Sequence, residues 1–202
     1  MPETPPPGAG EDSAWVSVAS DLAPDALLEL LRDPERLMRV NPLWVFDAWE
    51  PLGPQACRFR IFNQSNGQVW ETRAQVVSLS DGLRLDFEDG IKASTLFRVQ
   101  RADTGSTLWI IDDYDRLPET ERQARIGEVD RSLPQWGRSL YRHLRAWSRW
   151  SHLPPWRWYV ERYWLRMRPL SRRIVRLLLW VTLAELVLFG LLIGILVVER
   201  AR

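Results

Sequence analysis

Apolar and polar positions alternate along much of this chain, then give way to helical periodicity, then to an unbroken apolar run. Residues 14–20, AWVSVAS, alternate and carry β-branched side chains, which predicts a strand. DLAPDALLELL follows. Pro24 suits the first helical position, Asp25 the first turn, and Leu27, Leu28, Leu30 and Leu31 supply an apolar face. Asp33-Pro34 is placed to cap a second short helix that Asn41-Pro42 ends. Six strand-like segments come next, over 43–49, 56–62, 68–78, 83–88, 93–100 and 107–114. Asn66-Gly67, Asp81-Gly82, Asp89-Gly90 and Thr104-Gly105 punctuate them, and Asx-Gly pairs between alternating runs predict hairpins and an antiparallel meander.

The period then changes. Ile126, Val129, Leu133, Trp136, Leu140, Leu144 and Trp147 recur at steps of three and four, the mark of a helix with one apolar face. Pro134 is expected to kink this helix or start it afresh. Leu177–Val198 is apolar on all sides apart from Glu185. Its 22 residues make roughly 33 Å of helix at about 1.5 Å per residue, enough to cross a hydrocarbon core of about 30 Å. The expected organisation is a disordered Pro/Gly/acidic lead-in over 1–13, a domain over 14–152, a juxtamembrane segment over 153–172, a transmembrane helix over 173–199 and a tail over 200–202. The first twelve residues lack the basic and apolar regions of a secretory signal.

Charge refines this reading. The 202 residues sum to +1, yet residues 1–153 carry 18 basic and 23 acidic side chains, or −5, and residues 154–176 carry seven Arg against Glu161, or +6. The acidic domain argues against a nucleic-acid partner. Arg166, Arg168, Arg172 and Arg173 precede the apolar span together with Trp156, Trp158 and Trp164, a mixture suited to lipid headgroups. The segment is therefore expected to lie on the membrane surface. Basic residues concentrated before the span place the N-terminal domain in the cytoplasm, with a single-pass anchor in the inner membrane. Glu185, near mid-span, and the Gly190-x-x-x-Gly194 pair mark candidate contacts with an intramembrane helix partner, on different sides of the helix.

Strand, two short helices, six strands and a long helix, with APDALLELLRDPERLMRVNP after the first strand, resemble the START/Bet v1-like (SRPBCC) superfamily over Ala14–Trp150. Bacterial members of that superfamily include polyketide cyclase/dehydrase and lipid-transport proteins. The resemblance implies an α+β helix-grip fold, a curved antiparallel sheet wrapped on a long C-terminal helix with an apolar cavity between them. Candidates for lining that cavity are Trp70, Thr72, Leu85, Phe87, Thr95, Phe97, Trp136, Leu140 and Leu144, which serve equally well as packed core.

Catalytic signatures are absent from the sequence, and no catalytic residue is assigned. One cysteine and two histidines imply no metal site, and no cofactor is expected. In IIDDYD, alternation sends Asp112 and Asp113 to opposite faces, so they are expected to be a solvated acidic strand end and not a dyad. Arg58 and Arg60 share a strand face and are expected at the surface. Lys92, the single lysine, reads as compositional bias. Three readings remain open. The first is a membrane-tethered binding protein for a hydrophobic ligand such as a quinone, lipid or isoprenoid. The others are a cyclase/dehydratase-type enzyme and an accessory subunit docking through its transmembrane helix.

Overall fold

A computed structural model describes residues 6, 9, 10 and 12–200. The lead-in expected over 1–13 and the last two residues lie largely outside these. Seven strands form one antiparallel sheet: β1 Ser13–Ser20, β2 Trp44–Pro51, β3 Ala56–Asn63, β4 Gln68–Leu79, β5 Gly82–Phe87, β6 Ser94–Arg101 and β7 Ser106–Asp113. Their spatial order is β1-β7-β6-β5-β4-β3-β2. β2 to β7 are consecutive hairpins, as the Asx-Gly punctuation predicts, and β1 pairs with β7 in the register Val16↔Ile110. Helices α1 (Pro24–Leu31) and α2 (Pro34–Arg39) carry the chain from one sheet edge to the other. Both begin with Pro in the first turn, and the Asp33 carboxylate accepts from the Arg36 N–H as the α2 cap.

The long helix, α4, spans Leu133–Trp150 and starts afresh at Pro134. The stretch before it departs from the expected continuous helix. It holds a short α3 (Glu119–Ala124) and a 3₁₀ turn (Ile126–Glu128), and Ile126 is 56% exposed, so its apolar period does not extend the buried face. α4 comes closest to β1 at Gly137, where a Cβ would stand 2.8 Å from Val16 Cγ2. Only glycine permits that approach. Between sheet and helices lies a dense core that includes Trp44, Phe59, Leu85, Phe87, Phe97, Trp136, Leu140 and Leu144. Burying each such side chain stabilises the fold by roughly 1.5–3 kcal/mol. Trp136 stands edge-on to Phe97 at 5.5 Å between centroids and donates its indole N–H to the Leu37 carbonyl at 3.0 Å, fixing α4 to both sheet and α2.

Two compact units divide the chain, Met1–Arg166 and Met167–Arg202. The first extends past residue 152 because α5 (Pro154–Arg162) packs on the domain. Val160 and Leu165 are buried, Trp156, Tyr159 and Trp164 rest against the core, and Trp147 and Trp156 meet at 5.7 Å. The aromatics expected at the headgroup layer are thus divided, since Trp158 is 58% exposed while Trp156 and Trp164 face protein. The second unit is essentially α6, Pro169–Arg200, which contains Arg172, Arg173, Glu185, Gly190 and Gly194. By length and composition, this helix is able to cross a membrane.

Candidate binding cavity

At one end of the sheet the β3–β4 turn, the β5–β6 loop, the end of β7 and the segment 125–130 surround a cavity of about 250 Å³. Its apolar and aromatic walls include Val69, Trp70, Ile91 and Tyr114, and its charged lining is Glu71, Asp89, Lys92, Arg125, Glu128 and Asp130.

The β5–β6 loop forms where Asp89-Gly90 reverses the chain. Gly90 takes φ +105°, and any Cβ there would lie 2.7 Å from Trp70 Nε1. Two hydrogen bonds pin this turn to β4: Trp70 Nε1 donates to the Asp89 carbonyl at 3.0 Å, and the Asp89 N–H donates to Thr72 Oγ1 at 3.0 Å. The turn sets Lys92 inward. Its ammonium is 3% exposed and donates to Asp112 Oδ2 at 2.7 Å and Asp130 Oδ2 at 3.1 Å, with the Trp44 ring 5.2 Å away. Thr95 Oγ1 donates to the other Asp112 oxygen at 2.6 Å. Asp130 Oδ1 accepts from Asn63 Nδ2, Ser65 Oγ and the Ser132 N–H at 2.9–3.1 Å. The Asn66 amide donates to the Glu128 carbonyl at 2.8 Å, so the β3–β4 turn and the segment before α4 are laced together around the cavity.

These contacts set the protonation states. Burial alone would lower the Lys92 pKa, but Asp112 and Asp130 outweigh it and hold the ammonium above the ordinary lysine range. Asp130 is also opposed by burial, yet Lys92 and its hydrogen-bond donors keep it below the ordinary carboxylate range. Burial pushes Asp112 the other way, above that range, even with Lys92 beside it. Burial likewise raises Tyr114, so its phenol keeps its proton. A lysine held charged by two carboxylates is neither a general base nor an amine nucleophile. The arrangement is a fixed ion cluster built into the cavity wall through Lys92 and Asp130.

Asp112 corrects the expectation of a solvated acidic strand end. Asp112 lies on the same face of β7 as Leu108 and Ile110, all three of them 0% exposed. Asp113 does face away from it. Arg58 and Arg60 are exposed and reach Glu71 at 3.5 and 3.8 Å, as a surface pair should. Of the residues expected to line a cavity, Trp70 does. Thr72 and Thr95 stand one step behind, holding Asp89 and Asp112, while Leu85, Phe87, Phe97, Trp136, Leu140 and Leu144 pack in the core. Lys92, Asp130, Asn63 and Tyr114 escaped the sequence reading, and the one lysine in an otherwise all-arginine set of bases was the available signal. Cys57 is buried, and burial together with Glu35 pushes its thiol up to about 11, so it is an inert core group at neutral pH. Among the described residues no cluster of side chains is arranged to hold a metal.

No family model matches the chain, and no curated protein does. Solved structures do resemble it. The KanY protein, solved by NMR, superposes with a TM-score of 0.50 at 15% identity, over 68% of this chain and 99% of that one. A protein from Rhodobacter sphaeroides gives 0.48 at 14%, over 69% and 95%. Ara h 8.0201 gives 0.43 at 9%, over 66% and 97%. With its seven-stranded antiparallel sheet and long C-terminal helix, the first unit has an α+β helix-grip fold, similar to that of the KanY protein.

Proposed function

We propose that this chain is a membrane-tethered binding protein that takes a small amphiphilic ligand into the cavity beside Lys92. The cavity itself carries the reading: a concave site with Trp70, Val69 and Ile91 in its wall and a rigid polar cluster beside them. Its size limits the ligand. About 250 Å³ lies just below the roughly 300–1,000 Å³ typical of sites that enclose a drug-sized molecule. The occupant is therefore a compact molecule, or the head of a longer one such as a quinone, lipid or isoprenoid whose tail stays outside. α6 supplies the tether. The arginines before the apolar span favour a cytoplasmic domain presenting its ligand at the inner membrane face. The cyclase-type alternative draws less support, because Lys92, Asp112, Asp130, Arg125 and Glu128 are all committed to one another.

Mass spectrometry of small molecules extracted from the purified full-length chain tests this reading. A single class of molecule near one per chain is expected, and Val69→Trp, which adds bulk to the cavity wall at an exposed position, should abolish it. An empty extract, or the same loading in the variant, would remove the reading.

A further inference from the structure

The charges on the cavity wall point to the kind of head group it accepts. Four carboxylates line it (Glu71, Asp89, Glu128 and Asp130) against two cations (Lys92 and Arg125), and Glu71 is paired with Arg58 and Arg60 outside the lining. Neither cation is available to a ligand. Arg125 grips Glu128 through two bonds of 2.8 and 2.6 Å, and Lys92 is shared between Asp112 and Asp130. An incoming anion would meet no uncommitted positive group among these lining residues. Asp89 is placed oppositely. Its backbone is clamped at both ends, by Thr72 Oγ1 on its N–H and by Trp70 Nε1 on its carbonyl, while its carboxylate makes no ion pair among the described residues. Asp89 is exposed to solvent and shares the lining of this cavity with Trp70 and Tyr114. A carboxylate without an ion pair, in a cavity with aromatic walls, suits an organic cation, which gains from the charge and from the ring quadrupoles together.

Building on the binding reading above, we propose that the cavity selects a ligand carrying an ammonium centre on an apolar body, with Asp89 and Trp70 as its recognition pair. The ammonium belongs either to a free amine or to an aminated lipid head group.

Calorimetry on the full-length chain in a nonionic detergent, using three probes with one aromatic body, decides the matter. Phenylpropylammonium should bind about tenfold more tightly than phenylpropanol and more tightly still than phenylpropanoate. Asp89→Asn should weaken the ammonium about fivefold and leave the alcohol unchanged, since only the charge is lost. Equal binding of alcohol and ammonium, or preference for the carboxylate, overturns the cation assignment while leaving the cavity as a binding site. No binding by any probe overturns the cavity reading as well. A short-chain phosphatidylethanolamine in the same detergent separates the sources: displacement of bound phenylpropylammonium assigns the cation to a lipid head group, and failure to displace assigns it to a free amine.

Discussion

Lys92 and Arg36 are both cations taken out of water, and they differ in their company. Lys92, 3% exposed, has two buried carboxylates within 3.1 Å, and they hold its proton more tightly than water would. Arg36, 8% exposed, lies beneath α5. Its guanidinium stacks on Trp147 at 3.7 Å and donates from Nε to His143 Nε2 at 3.3 Å, and its nearest carboxylate is Glu161 at 3.7 Å on a half-exposed side chain. One of its nitrogens is buried with no hydrogen bond among the described residues. Burial therefore prevails over the pull of Glu161 and Asp33, and the Arg36 pKa drops to about 10. Buried charge at the cavity is a compensated cluster, while buried charge under α5 is a packing device that carries a charge. The ring contact and the aliphatic stem do most of the work there.

The sharpest way to break this contrast is to remove each cation. Lys92→Met leaves Asp112 and Asp130 facing each other without a counter-charge and should cost about 3–5 kcal/mol in urea unfolding followed by tryptophan fluorescence. Alkaline titration comes next. Lys92 and Tyr114 hold their protons more tightly folded than unfolded, so their contribution is complete below their ordinary values of 10.5 and 10.0 and is lost as pH rises beyond them. Arg36 has the opposite sign, which partly offsets that loss. Thermal unfolding across this range should fall steeply in the parent chain and less steeply in Lys92→Met. Asp130 adds an acid limb, since its stabilisation is present above 3.8 and is lost as pH falls through its lowered folded value, and Asp112, held above the ordinary range, acts with the opposite sign. Arg36→Met keeps a long apolar stem on Trp147 and removes an unsatisfied nitrogen, so its cost should be about 1 kcal/mol or less. A loss as large as that of Lys92→Met would end the contrast. Glu161→Gln should be the mildest, within about 0.5 kcal/mol, because the pair is solvent-screened.

The sheet was legible because its information is local. Alternation in β3 and β6, Asx-Gly at the turns and Pro at three helix starts each lie within a few residues of the structure they specify. The ion cluster was not legible, because its parts are far apart and each alone reads as something ordinary. Lys92 sits at the end of a loop, Asp112 in an acidic strand end and Asp130 before a helix, 20 and 38 residues from the lysine that joins them. Alternation correctly separates Asp112 from Asp113. Which of the two is inside depends on which face of β7 is covered, and Asp112 shares the face of the fully buried Leu108 and Ile110. The same limit applies to the cavity. Periodicity identifies apolar faces such as Leu85–Phe87 and Leu140–Leu144, but whether a face meets packed neighbours or a void is decided by the opposing surface. Likewise the Trp/Arg segment before the span has a membrane-surface composition, and its packing on Arg36 and Trp147 depends on α2 and α4.

The central claim is that ligand enters at the Lys92 end of the sheet and not the core gripped by α4. Fluorine NMR of the full-length chain labelled with fluorotryptophan, with Trp70 and Trp136 assigned by single Phe substitutions, tests it directly. On adding the co-purifying ligand or phenylpropylammonium, the Trp70 resonance should shift and that of Trp136, wedged between Trp44 and Phe97, should stay in place. A shift at Trp136 with Trp70 unmoved would contradict the account.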